Sequence, residues 1–343
     1  MKKLILLILI ILTCLTSCSK ENTVEAGLIN NEYNFNVSAK SYIVMDKITG
    51  RVLYGNNINE RILPASTTKI LTCLTVINNF NIEEYIKITF DMINVEGSKI
   101  YLEEDDVISV RDLLYGLMLN SGNDASMALA IGLSGSIDNF VYLMNEECKR
   151  IGMYNSSFEN PSGLDETTMN YVTAYDMALL MKDALRNEIF RKITSTKEYV
   201  ASLPTGRKLY FSNKHKLVKI NDYVTGGKTG YTKKAGRTLI TSYKKDAFEI
   251  IVCTFNCPND WKIHESLFNK TMKNYNQIKL INPYDLYKKT NKVIFTNELL
   301  FPLGVYEKSE NIISKLMSDN YYFIINYYKD NQLIGTTKIL KDD

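Results

Sequence analysis

Ser66-Thr67-Thr68-Lys69, then Ser121-Gly122-Asn123, then Lys228-Thr229-Gly230: these three strings, in this order along 343 residues, carry the reading of the fold. Each holds a part that acyl transfer requires. A serine hydroxyl is a weak nucleophile until a neighbouring base takes its proton. Lys69 lies three residues after Ser66 and shares its face if the segment is helical. A lysine can act as that base only when burial or a second cation lowers its pKa, and Lys228 offers the second cation. A helix opening at Ser66 aims free N–H groups at a developing oxyanion. Gly230 lets a ligand backbone approach the strand predicted around Lys228.

Taken singly, the strings are weak. Two fixed positions with common residues match by chance about once or twice in a chain of this length. The same spacings recur at Ser17 to Lys20, Ser242 to Lys245, Ser309 to Asn311 and Ser318 to Asn320. In isolation Ser66 reads as a helix cap and Ser121-Gly122-Asn123 as a helix break. Gly227-Lys228-Thr229 resembles the end of a phosphate-binding loop, but the glycine required five residues earlier is Asp222. Order and context separate the three strings from the decoys. Pro64-Ala65 precedes Ser66, an apolar run from Leu113 leads into Ser121, and Gly226-Gly227 precedes Lys228. Between the second and third strings stand Asn160-Pro161-Ser162-Gly163-Leu164-Asp165 and Tyr171-Val172-Thr173-Ala174-Tyr175-Asp176-Met177.

Together these residues resemble the low-molecular-mass D-alanyl-D-alanine carboxypeptidases, penicillin-binding serine peptidases of family S11, from about residue 41 to about residue 267. Asn256-Cys257-Pro258-Asn259-Asp260-Trp261 and His264 resemble the Gram-positive branch. The resemblance implies an α+β, β-lactamase/transpeptidase-like fold, an antiparallel sheet flanked by helices. It implies Ser66 as nucleophile, Lys69 as base, Ser121 as relay to the leaving nitrogen, and Asn123 as holder of Lys69 and substrate. Lys228 and Thr229 would bind a terminal carboxylate, Gly230 would admit the substrate backbone, and the N–H groups of Ser66 and Tyr231 would form the oxyanion hole. Peptidoglycan stem peptides are the implied substrates and β-lactams the covalent inhibitors, with no metal and no cofactor. Family members often carry His where this chain has Ser162. No motif assigns a role to Arg237.

The composition, 45% hydrophobic and 23% charged, is that of a globular chain with ample core. A net charge of +3 gives no argument for nucleic acid. Lys2-Lys3 followed by an apolar run over 4–15 reads as an export signal, too short to span a bilayer well. Leu15-Thr16-Ser17-Cys18 resembles a lipobox, with Cys18 the lipidated first mature residue, so the chain is expected outside the cytoplasm, anchored to the membrane or secreted to the wall. Many relatives end in an amphipathic helix; here an N-terminal lipid is the expected anchor. The expected organisation is signal 1–18, tether 19–40, peptidase domain 41–281 and a small β-rich domain 282–343.

Within that frame the patterns predict a hairpin about Lys47 to Gly50 and helices over 66–80, 110–133 (broken near Ser121), 137–151 and 174–186. Strands are predicted over 223–243 and 248–255, a closing helix over 264–278, and strands over 292–296, 321–328 and 333–340 with a turn at Asp330-Asn331. Cys73 and Cys148 read as small buried hydrophobes; Cys253 and Cys257 could pair if a short loop turned back between them, but no disulfide framework is expected.

Competing chemistries are weaker. Only two histidines, His215 and His264, are present, in no triad context and with no clustered zinc ligands. A serine β-lactamase requires a glutamate to activate the deacylating water, and Glu166-Thr167-Thr168-Met169-Asn170 has nearly the right shape; its setting matches the carboxypeptidase loop instead. A non-turnover penicillin-binding lipoprotein is the remaining alternative.

Overall fold

The computed structural model describes residues 37–281, 299–319 and 321–340. The leader with Cys18, nearly all of the tether and the strand predicted over 292–296 lie outside the described residues. The centre is a five-stranded antiparallel sheet built from both ends of the peptidase region. Its strands are β1 (Ser41–Asp46), β2 (Val52–Asn56), β3 (Val224–Thr232), β4 (Gly236–Lys245) and β5 (Phe248–Phe255), in the order β2-β1-β5-β4-β3. The register pairs Ser41 with Phe255, Thr238 with Phe255 and Lys228 with Ile240. Among the described residues strand β3 is therefore an edge, with no strand on its outer side.

Every residue of β5 is buried, as expected of a strand covered on both faces. On one face the sheet's Ile43, Met45, Ile251 and Cys253 join one core with the helices α1 (Lys69–Asn79), α2 (Val110–Tyr115), α3 (Asn123–Ser134), α4 (Ile137–Ile151), α5 (Ala174–Ala184) and α6 (Glu188–Ser195). On the other lies α7 (Asp260–Asn274), whose Phe268 stacks on Tyr243 with ring centroids 4.5 Å apart. The sequence cues act locally as expected. Ser136 caps α4 by accepting from the Asn139 N–H, and Gly152 ends it in the left-handed conformation. Both residues of the Asp330-Asn331 turn have positive φ, which suits a tight hairpin.

Three predicted elements differ. The strand expected over 223–243 is two strands, β3 and β4, paired antiparallel across a turn at residues 233–235. The helix expected over 66–80 opens as a 3-10 turn, Ala65–Thr68, and becomes α-helical only at Lys69. The closing helix expected over 264–278 runs Asp260–Asn274, and Tyr275–Lys279 is a strand, β6. It pairs with β7 (Leu300–Gly304). Beyond it a three-stranded sheet joins β8 (Ile312–Ser318), β9 (Tyr322–Lys329) and β10 (Gln332–Leu340) around Ile325, Tyr327 and Ile339. Cys73, Cys148, Cys253 and Cys257 are buried free thiols.

Candidate active site

The site forms where the edge of β3 meets the turn that opens α1. Ala65 is held at φ +48°, a conformation a residue with a Cβ rarely adopts. Two contacts fix the turn: Thr67 Oγ1 donates to the Pro64 carbonyl at 2.6 Å, and Thr238 Oγ1 on β4 donates to the same oxygen at 2.9 Å. A methyl group built on Gly230 would lie 2.8 Å from the Ser66 nitrogen. The glycine is thus what lets β3 come this close to Ser66.

Lys69 is buried and joins the first two strings. Its ammonium nitrogen donates to Ser66 Oγ at 3.1 Å, Asn123 Oδ1 at 2.8 Å and the Ser162 carbonyl at 2.6 Å. Burial, and then the charges of Lys228 and Lys214, hold its pKa well below the ordinary lysine value, against a smaller opposing pull from Asp124. A lysine so placed can be neutral and accept a proton. The Asn123 amide has one usable orientation. Its Nδ2 donates to the Glu96 carbonyl at 2.6 Å, which turns Oδ1 towards Lys69.

Ser121 ends a π-turn, Gly116–Asn120, in the left-handed conformation at φ +62°, and α3 begins two residues later. A non-glycine residue in this conformation costs on the order of 1 kcal/mol, and π-turns concentrate at functional positions. The buried Asp124 carboxylate accepts from the N–H groups of Ile100 and Ala125 at 3.0 and 2.9 Å. It ties the loop before α2 to the start of α3.

Lys228 is 1% exposed on β3. Burial and then Lys214 lower its pKa to about 7. Thr229 and Tyr231 flank Gly230 on the same strand, and Tyr231 is exposed. Cys18 lies outside the described residues.

Three contributors escaped the sequence reading. Lys214, in no motif, donates to Ser98 Oγ at 2.9 Å and acts on both site lysines. The Ser162 carbonyl contacts Lys69 through the main chain, so the departure from His at this position leaves that contact in place. Gly163, at φ +84°, packs against the Ser66 turn: a methyl group there would sit 1.9 Å from the Ala65 carbonyl oxygen. Arg237 is held by Asp260 through two bonds of 3.0 Å. Glu166 is exposed, and the groups that face Lys69 are a hydroxyl, an amide and a carbonyl. His215 and His264 are buried and share Thr241 Oγ1, at 2.9 and 2.8 Å.

The chain as a whole is similar to known proteins. The profile of the D-alanyl-D-alanine carboxypeptidases, serine peptidase family S11, matches residues 28–259, and the chain belongs to this family. It is 36% identical over 260 residues to the D-alanyl-D-alanine carboxypeptidase DacF of Bacillus subtilis, covering 74% of this chain and 66% of that one. It is 34% identical over 259 residues to DacC of Escherichia coli, covering 71% and 61%. The match thus spans about two thirds or less of these relatives' lengths. The fold is that of penicillin-binding protein 6B from Escherichia coli, with a TM-score of 0.72 at 24% identity over 92% of this chain and 98% of that one.

Proposed function

We propose that the chain is a serine D-Ala-D-Ala carboxypeptidase acting outside the cytoplasm on peptidoglycan stem peptides, anchored through a lipid on Cys18. The observation that carries the reading is a buried, pKa-lowered Lys69 bonded at once to Ser66 Oγ and Asn123 Oδ1. Ser66 Oγ attacks the carbonyl carbon of the penultimate D-alanine while Lys69 takes its proton. The N–H groups of Ser66 and Tyr231 receive the oxyanion; Gly230 lies against the Ser66 nitrogen, and the Tyr231 amide is the next one along the strand. Lys228 and Thr229 hold the terminal carboxylate. The proton passes through Ser121 to the leaving nitrogen, the C–N bond breaks, and D-alanine departs. Water, deprotonated by Lys69, then attacks the acyl-Ser66 ester. A penicillin acylates the same oxygen.

The exposed position of Glu166 argues against a β-lactamase, which requires that carboxylate at the ester. The test is intact mass after mixing with a penicillin, together with D-alanine release from a D-Ala-D-Ala peptide. Wild type should form a lasting adduct and release D-alanine. Ser66→Ala should lose both, and Glu166→Gln should keep both within about twofold of wild type, as expected for a solvated side chain. Activity surviving Ser66→Ala refutes the assignment; rapid drug hydrolysis that collapses with Glu166→Gln restores the β-lactamase.

A further inference from the structure

At Gly227 the outer side of β3 is met by a side chain. Thr194, in the last turn of α6, is buried. Its hydroxyl accepts from the Gly227 N–H at 2.9 Å and donates to the Gly227 carbonyl at 3.0 Å. One hydroxyl thus takes both main-chain groups that a neighbouring strand would otherwise pair. The fit is close. A methyl group on Gly226 would lie 2.3 Å from Thr194 Cγ2, and one on Gly227 would lie 2.7 Å from His215 Nε2. Asn213 ties these parts together. Its amide donates to the Thr194 and Thr196 carbonyls at 3.4 and 2.9 Å, and its Oδ1 accepts from the His215 N–H at 2.9 Å.

This pair of bonds sets what the rest of the edge offers. In an antiparallel ladder, successive residues point their main-chain groups alternately at the partner strand and away from it. Gly227, opposite Thr241, points away from β4 and towards Thr194. The register shift in this pairing lies before Gly226. Thr229 and Tyr231 therefore point outward as well, while Lys228 and Gly230 pair with Ile240 and Thr238. The edge that a ligand meets starts at Thr229, one step beyond the groups that Thr194 holds. The Lys228 ammonium donates to the Thr229 carbonyl at 3.0 Å. Lys228 follows Gly227 directly in the chain, so a shift of the Gly227 main chain carries Lys228 and Thr229 with it.

We propose that Thr194 is a positioning residue for the carboxylate clamp: by holding both outward main-chain groups of Gly227, it fixes Lys228 and Thr229 in the place where they receive a terminal carboxylate. This deepens the peptidase reading above and rests on it. Thr194 touches no reacting atom, and its effect is confined to ligands that bring a carboxylate to this end of the edge.

Two substrates separate this role from general support of the strand: diacetyl-Lys-D-Ala-D-Ala and diacetyl-Lys-D-Ala methyl ester. Both leave the same acyl group on Ser66. The first expels D-alanine and the second methanol, and only the first carries a carboxylate. Thr194→Val keeps the shape without the hydroxyl. It should raise KM for the tripeptide about tenfold, the order of one charge-assisted hydrogen bond. Its kcat should stay within about threefold, because the contact is made in ground state and transition state alike. Its kcat/KM for the ester should stay within about twofold of wild type. Thr194→Ala removes the same two bonds without a second methyl group and should act likewise. Thr194→Ser keeps the hydroxyl and should restore the wild-type KM. A Thr194→Val variant with the wild-type KM overturns the proposal. Equal losses on tripeptide and ester also overturn it, since Thr194 would then only support the strand. So does a Thr194→Ser variant as impaired as Thr194→Val, which would assign the effect to the methyl group packed on Gly226. Wild type that releases no D-alanine from the tripeptide fails at the earlier step and overturns the peptidase reading, and this proposal with it.

Discussion

Lys69 and Lys228 are two buried ammonium groups in one site, each pushed towards neutrality by burial and by Lys214. Their proposed tasks need opposite states, since Lys69 must be neutral to take the serine proton and Lys228 must be charged to hold a carboxylate. In the free protein Lys228, with its pKa brought down to about 7, keeps its charge below that pH and loses it above. A bound carboxylate favours the ammonium and raises this pKa in the complex. The profile of kcat/KM reports the free enzyme and that of kcat the complex. For D-alanine release between pH 5 and 10, kcat/KM should therefore decline above about pH 7, while kcat holds to a higher pH. Both should fall as the pH drops through the lowered pKa of Lys69 and it becomes protonated. A kcat/KM that stays level from pH 7 to 9 would remove Lys228 as the charged partner of the substrate.

Among the elements, the 160–165 loop does most to position the base, and it does so through backbone. Asn160 Oδ1 accepts from the Gly163 N–H at 2.7 Å, the Ser162 carbonyl accepts from Lys69, and Gly163 lies on the Ala65 carbonyl. Gly163→Ala adds a methyl group where there is no room, on a residue whose φ already favours glycine. The loop must lift from the Ser66 turn and carry the Ser162 carbonyl with it. The expected stability loss is about 2–4 kcal/mol, the range for strain at a special backbone position, seen as a lower midpoint in urea. Penicillin acylation, followed by mass, should slow at least about a hundredfold, since a displacement near 1 Å at a reacting group costs that much. Unchanged acylation would mean that the loop does not set the base.

The limits of the sequence are visible in the same elements. Ser66, Lys69, Asn123 and Lys228 were legible because their chemistry lies in side chains at fixed spacings. The Ser162 carbonyl was not, because a main-chain acceptor leaves no side-chain signature. Lys214 was hidden by distance, since it belongs to no string and reaches the site only when the chain after Lys208–Ser212 folds back past Leu119. Tyr275–Lys279 continued the helical pattern of the residues before it. Pairing with Leu300–Gly304, more than twenty residues onward, overrides that local preference.

Across the whole molecule, one ion cluster joins the peptidase sheet to the C-terminal strands. Arg51, at the start of β2, donates to both oxygens of Glu307, at 2.9 and 2.5 Å, and to the Pro302 carbonyl, and its guanidinium lies 4.9 Å from the Phe301 ring centroid. Lys329 on β9 meets the same carboxylate at 3.1 Å, and the Gly304 N–H donates to it at 2.7 Å. Burial would raise the Glu307 carboxyl, but the Arg51 bonds, the Gly304 N–H and Lys329 together bring it down to about 2 from the ordinary 4.5. A carboxyl lowered on folding stabilises the folded state above pH 4.5, and that stabilisation is lost as the pH falls from 4.5 towards 2. Glu307→Gln leaves Arg51 and Lys329 without their common anion, at a cost of about 2–3 kcal/mol for a pair this well covered. The site lies on the opposite edge of the sheet, at β3, while Arg51 lies by β2. The expected result is therefore divided. Limited proteolysis should degrade the C-terminal strands, Leu300–Leu340, faster in the Glu307→Gln chain at neutral pH, and wild type should approach that rate only in acid. D-alanine release at pH 7 should stay within about twofold of wild type. Equal loss of cleavage resistance and of D-alanine release would mean that the C-terminal strands and the catalytic edge are coupled through the sheet.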